Sequence, residues 1–367
     1  MRLLDLCDIK YGYAFDSKKF TDNPIYPPLV RIRDVKRGFS ETFYAGEYSK
    51  EYLLHKGDLL IGMDGEFNIA RWKSVDALLN QRVCKISAKK GINEEYIRFA
   101  LSKKLKNIED KTSFVTVKHL SARELSAIEF IMPEYEKQRK IADILVSIEN
   151  IIEKKKQELE QLDTLVKSRF AEMFGDPIMN PKGWKVVTIG DIVTEVRYGT
   201  SKPAVEGGKY PYLRMNNLTA DGHLDLNDLK YIDISDDEVE KCVVRKGDVL
   251  FNRTNSIDLV GKTAVFDLPD DMVIAGYIIR VRLNEKILPE VLSQYMNLEA
   301  LKDILRSMAK GAVNQANINA QELQSIRVYV PDIELQKQFV EMKDQVDKSK
   351  IIKSLLIYNE LKTLTSG

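Results

Sequence analysis

The chain has 367 residues, 44% of them apolar and 30% charged, with 56 Lys/Arg against 55 Asp/Glu. That length exceeds one ordinary hydrophobic core, so two domains with connecting structure are expected. No run approaches the ~18 uncharged apolar residues of a membrane span, and Asp5 and Asp8 interrupt the start, MRLLDLCDIKYG, where a signal peptide would be apolar. The cysteines (Cys7, Cys84, Cys242) and histidines (His55, His119, His223) lie far apart, without the spacing of a disulfide framework or a zinc site. A cytoplasmic protein with reduced thiols and no metal is the expectation.

Residues 1–132 open with DIKYG (8–12), continue through PLVRIRDV (28–35) and HKGDLLIGMDG (55–65), and contain the strand-like runs DLLIGM, RVCKIS and AIEFIM beside a helical EEYIRFALSKKLKNI. They read as one α/β or α+β domain. From Pro133 to Gly175 no further Pro or Gly occurs, and Ile141, Leu145, Ile148, Ile152, Leu159, Leu162, Val166 and Met173 step by three and four, missing only at Lys155 and Arg169. This is the seam of a coiled coil, and 40 helical residues would span roughly 60 Å, too long for packing within one small domain. GDPIMNPKGW (175–184) follows: Gly175 can cap the helix and Pro177 and Pro181 forbid its continuation, so the stretch reads as a linker.

A second domain, 176–332, carries EVRYG (195–199), PYLRMNNL (211–218) and RKGDVLFNRTN (245–255), then strands DVLFN and IIRVRL and the helical PEVLSQYMNLEALKDILRSM. Residues 333–367 form a second helical tail, with Leu335, Phe339, Met342 and Val346 in register, a slip at Ser349, and resumption at Ile352 and Leu356.

Lys-Gly-Asp alone is a common turn. Here three blocks recur at offsets of 187, 183 and 190, and VTVKHLSARELSAIEFIMPEYEKQ (115–138) recurs as VNQANINAQELQSIRVYVPDIELQ (313–336) at 198, keeping Glu124/Glu322, Leu125/Leu323, Pro133/Pro331 and Gln138/Gln336. Four ordered blocks indicate a duplicated domain. If the two helices bury their seams against one another antiparallel, the globules fall at opposite ends about a pseudo-twofold axis, and one chain imitates a symmetric dimer.

The doubled KGD-strand block, the P-x4-Q lead-in to each helix and the FGDPIMNPKGW junction resemble those of type I restriction-modification specificity subunits, over essentially the whole chain. The resemblance implies tandem target recognition domains, each reading one half of a split site in double-stranded DNA, with helices that set the spacing and dock modification (methyltransferase) subunits, two in number, and through them restriction subunits. It places S-adenosylmethionine in the methyltransferase partner and ATP and Mg in the restriction partner, with no cofactor in this chain.

Base readout uses Arg or Lys for guanine and Asn or Gln for adenine. In the first domain Arg31, Arg33, Lys36 and Arg37, then Asn80, Gln81 and Arg82, then Lys118 and His119 qualify; in the second, Arg214, Asn216 and Asn217, then Asn252, Arg253 and Asn255, then Asn314, Gln315 and Asn317. Each taken singly reads more readily as a solvated turn or strand end. Net charge does not decide the matter: 1–132 hold 23 Lys/Arg against 18 Asp/Glu and 176–332 hold 19 against 23, with the acidic 221–240 expected to face away from phosphates. Catalytic motifs are missing. YPPL (26–29) lacks the polar and aromatic ends of an adenine-methyltransferase tetrapeptide, and SIDLVGKT (256–263) lacks the first Gly of a P-loop, so its GKT reads as a strand edge. His119 is matched by Asn317 in the repeat, which speaks against a general base. A non-catalytic, DNA-reading subunit leads, with a protein-only scaffold, favoured by the acidic second domain, and an autonomous nuclease or methyltransferase as the alternatives.

Overall fold

Each Lys-Gly-Asp segment builds the same turn. Gly57 and Gly247 take φ of +97° and +93°, which glycine adopts without steric cost. Asp58 then accepts from the His55 amide at 2.8 Å, and Asp248 from the Arg245 amide at 2.9 Å. Each turn launches a strand buried on both faces, Leu59–Gly62 or Val249–Asn252. Leu59 and Ile61 enter one core while Leu60 enters another; Val249 and Phe251 are likewise divided from Leu250. Burial on two faces is why these runs are continuously apolar instead of alternating.

The computed structural model describes residues 1–111, 118–312 and 315–366, and it divides into two units, Met1–Lys156 with Leu356–Gly367, and Gln157–Leu355. In the first unit the main sheet runs in the order Cys7–Tyr11, Val83–Ala88, Leu59–Gly62, Ile69–Arg71, antiparallel throughout. In the second it runs Val193–Tyr198, Ile278–Leu283, Val249–Asn252, Thr263–Val265, again antiparallel. The smaller sheets also match. Leu29–Val30 lies parallel to Ala77–Leu79, which pairs antiparallel with Leu53–Leu54; Tyr210–Leu213 lies parallel to Met272–Ile274, which pairs antiparallel with Val243–Val244. With helices packed against antiparallel sheets the fold is α+β, and the repeat seen in the sequence is a repeat of topology.

The doubled Tyr-Gly has a steric cause. A Cβ on Gly12 would lie 2.0 Å from the Asn80 carbonyl oxygen, and one on Gly199 would lie 2.1 Å from that of Ile274. Each glycine lets the chain leaving the first strand pass against the turn that precedes the last one.

The P-x4-Q lead-in also has one. At the base of the first long helix (Tyr135–Phe174) the buried Gln138 accepts from the Asn93 amide at 2.9 Å and donates to the Pro133 carbonyl at 2.8 Å. At the base of the second (Ile333–Ser366) the fully buried Gln336 accepts from the Leu288 amide at 2.8 Å and donates to the carbonyls of Pro331 and Lys286 at 2.9 and 3.0 Å. A glutamine supplies the acceptor and two donors that such a joint needs; both bolt a long helix to its own globule.

Within the second unit the long helices pair antiparallel. Phe339 meets Phe170 and Phe174 with ring centroids 5.3 and 5.5 Å apart, Lys350 binds Asp163 at 2.6 Å, and Lys353 binds Glu158. The predicted seam needs two corrections: its break at Arg169 is filled by the fully buried Phe170, one position on, which with Phe174 forms an aromatic knot, while Arg169 pairs outward with Glu172, and on the second helix Ile352 and Leu356, expected to rejoin the seam, are exposed. The 175–184 stretch also differs from a free linker. Gly175 ends the helix at φ +88°, Trp184 donates to the Phe174 carbonyl at 2.8 Å, and the Tyr329 and Tyr295 hydroxyls donate to the carbonyls of Gly175 and Pro177 at 3.1 and 2.9 Å. The three cysteines are free and buried, and burial pushes the Cys84 thiol up to about 12. Among the described residues no helix is long and apolar enough to cross a membrane, and no cluster of metal-ligating side chains occurs.

Candidate nucleic-acid interface

In the first unit the hairpin loop after Leu59–Gly62 gathers three of the predicted segments. Asp64 forms an isolated bridge with His119, accepts from that ring, and receives Arg82 at 3.4 Å, while the Arg82 guanidinium also reaches His119 at 3.1 Å. Arg82 stands at φ +68°, a strained conformation for a residue with a Cβ, held by the Met63 amide on its carbonyl at 2.8 Å. Glu66 on the same loop lies 3.6 Å from Lys36. Lys118 pairs with Glu109 at 3.6 Å.

The 31–37 segment is a capped helical turn, Ile32–Arg37, in which buried Asp34 accepts from the Arg31 amide at 2.9 Å. Arg33 donates to Thr42 at 3.3 Å, and Arg37 pairs with Glu41 at 3.0 Å over the ring of Phe39. These are surface ion pairs and hydrogen bonds of the kind worth only about 0–1 kcal/mol, so a phosphate or base edge can displace them cheaply. Arg31 and Gln81 are exposed. Asn80 is not available: only 6% exposed, it sits in the backbone bridge to Tyr13.

The second unit repeats the layout with different chemistry. Thr254 bridges Asn317 and donates to its side-chain oxygen at 2.9 Å, where the first unit has Asp64 and His119. Tyr277 occupies the position of Arg82, its carbonyl accepting from the Arg253 amide at 2.9 Å, and its ring is half exposed. Arg253 lies over the ring of Tyr198 at 4.9 Å. Asn255 caps the Ser256 amide at 2.9 Å, and Gln315 and Asn216 are exposed. Asn314 lies outside the described residues.

Two more predicted readers are withdrawn by the structure. Asn217, 2% exposed, turns its amide to the fold: it accepts from the Arg214 amide at 2.8 Å and donates to the Asp225 carbonyl at 2.7 Å, doing for this unit what Asp34 does for the other. Asn252 is fully buried at the end of its strand. The acidic stretch, expected to turn away, instead clamps a candidate: Asp228 holds Arg214 at 2.6 Å, and Lys230 and Arg214 together keep its carboxyl below the usual carboxylate range. Sequence reasoning missed Tyr277 and the exposed Tyr13, whose ring lies 5.1 Å from that of Tyr52 with Lys10 over the latter. Aligning one further block, ALLNQRVCKI (77–86) with MVIAGYIIRV (272–281) at an offset of 195, places Arg82 opposite Tyr277 and would have found the first.

A family model described as the type I restriction modification DNA specificity domain matches residues 1–162 and again 181–363. The EcoBI type I restriction enzyme specificity subunit of Escherichia coli is 29% identical over 93% of this chain and 77% of its own length. The EcoKI specificity subunit of E. coli K12 is 24% identical over 88% and 75%. In three dimensions the S subunit of a type I restriction-modification system from M. genitalium superposes with a TM-score of 0.59, at 14% identity, covering 100% of this chain and 93% of that one.

Proposed function

Because the chain belongs to the type I restriction-modification DNA specificity family, we propose that residues 1–132 and 176–332 are its target recognition domains, each reading one half of an asymmetric, bipartite duplex site. One observation carries this reading. Equivalent points on one duplicated topology present Asp64, Arg82 and His119 in the first unit but Thr254, Tyr277 and Asn317 in the second. A shared scaffold with unlike tips suits two unlike half-sites, because base edges are told apart by the donors and acceptors offered to them.

The chain carries no catalytic constellation in this reading. Methyl transfer belongs to two modification subunits that hold S-adenosylmethionine, and cleavage to restriction subunits that use ATP and Mg. Segments 133–175 and 333–367 act as the spacer and the docking rod; Ile351, Ile352 and Leu355, each about 60% exposed on the second helix, offer apolar surface for a partner helix.

The test is to reconstitute the chain with its methyltransferase subunits and map the methylated adenines on random duplex DNA. A split motif is expected, with Arg82→Ala relaxing one half and Arg253→Ala the other. Methylation without sequence preference would favour the scaffold reading, and relaxation of both halves by one change would refute the assignment of one reader to each half.

A further inference from the structure

A cavity of about 300 Å³ opens in the second unit where the helices Pro289–Met296 and Glu299–Met308 meet the paired long helices. Lys262 and Lys302 line it, 8% and 9% exposed. Lys302 donates to the Gly261 carbonyl at 2.7 Å and to Asn297 Oδ1 at 2.9 Å; Lys262 donates to the carbonyls of Met215, at 3.0 Å, and Leu218. Each ammonium has three protons, so one on each remains unspent. Among the described residues no carboxylate comes within 4.0 Å of either, and Glu299, the acidic neighbour of Lys302, is taken by Arg306 at 2.6 Å. Gln294, also 9% exposed and lining the cavity, makes no side-chain hydrogen bond among the described residues.

Two buried cations without a counter-charge are costly, and buried charge is ordinarily paired. Of the other carboxylates lining the cavity, Asp163 is held by Lys350 and Asp347 by Lys343, at 2.6 and 2.5 Å, Asp221 accepts from the Thr219 hydroxyl, and Asp258 lies beyond 4.0 Å from both lysines. What the floor lacks is a compact acceptor bearing about two negative charges. We propose that this cavity binds a phosphate group, whose oxygens take the free protons of Lys262 and Lys302 and the amide of Gln294. The site is not a P-loop in spite of its Gly-Lys-Thr, because the Gly261 amide is spent on the Asn252 carbonyl at 2.8 Å and Thr263 enters a strand. None of Lys262, Lys302 and Gln294 is among the proposed base readers, so the site does not depend on them.

The experiment is calorimetric titration of the full-length chain with inorganic phosphate, with AMP, and with chloride as control, at constant ionic strength. Saturable phosphate binding is expected, weakened about tenfold or more in Lys302→Met and in Gln294→Leu, as loss of a charge-assisted donor or a buried amide implies. Gln294→Leu spends no hydrogen bond of the fold, so it keeps the test open should Lys302→Met fail to fold. Tighter binding of AMP identifies a nucleotide as the source, and equal binding identifies free phosphate. No saturable heat with either ligand, or affinity unchanged in Gln294→Leu, overturns the proposal.

Discussion

Gln336→Leu removes the bolt at the base of the second long helix while keeping the volume. Three hydrogen bonds disappear, to the Leu288 amide and the Pro331 and Lys286 carbonyls. Lys286 is exposed, so water can replace one; the Leu288 amide and the buried Pro331 carbonyl are left short. At 1–3 kcal/mol for each of these two groups the cost is about 2–6 kcal/mol, or a drop of roughly 4–24 °C in the melting of a unit of about 200 residues. Gln138→Leu is the matched control. It loses two bonds, to Asn93, partly solvated like Leu288, and to Pro133, which unlike Pro331 is partly solvated, so a smaller shift is expected. Differential scanning calorimetry of the two variants decides. Equal shifts, or a larger one for Gln138→Leu, would refute the idea that buried orphaned groups set the cost.

Gly12→Ala and Gly199→Ala should each destabilise by about 2–3 kcal/mol, since the added methyl meets backbone oxygen instead of a movable side chain; urea titration measures it. Phe339→Ala should cost about 3–5 kcal/mol by emptying the knot with Phe170 and Phe174, read as lost helix pairing by circular dichroism and melting. Burial, with Arg306 alongside, lowers the Lys302 ammonium to about 8 from an ordinary 10.5. The unfolded chain therefore binds the extra proton between those values, so stability is lowest below pH 8 and rises toward pH 10.5 by up to about 3 kcal/mol. Phosphate-free urea titrations of wild type and Lys302→Met at pH 7.5 and 10 should diverge by about 2–2.5 kcal/mol, and parallel behaviour would count against it.

The duplication, the Lys-Gly-Asp turns and the long helices were legible because each rests on local chemistry: a positive-φ glycine, an aspartate bonding its own turn, a three-four apolar step. The aromatic knot was not, because the spacing of Val166, Phe170 and Phe174 is compatible with more than one facing stripe, and the partner, Phe339, lies far away in sequence. Asn217 was misjudged for a related reason. An amide after an arginine looks alike whether it reads a base or caps a turn, and only its burial against Asp225 distinguishes the two. Arg82 and His119 were singled out, while the Asp64 that organises them was overlooked because base readers were sought among basic and amide side chains.

The glutamine joints touch main-chain atoms alone: an amide proton from the globule, and carbonyls that every amino acid possesses. A fastening of that kind is blind to what the globule's side chains become. The tips can therefore drift toward new base preferences, generation after generation, without the hinge to the rod ever having to be reinvented.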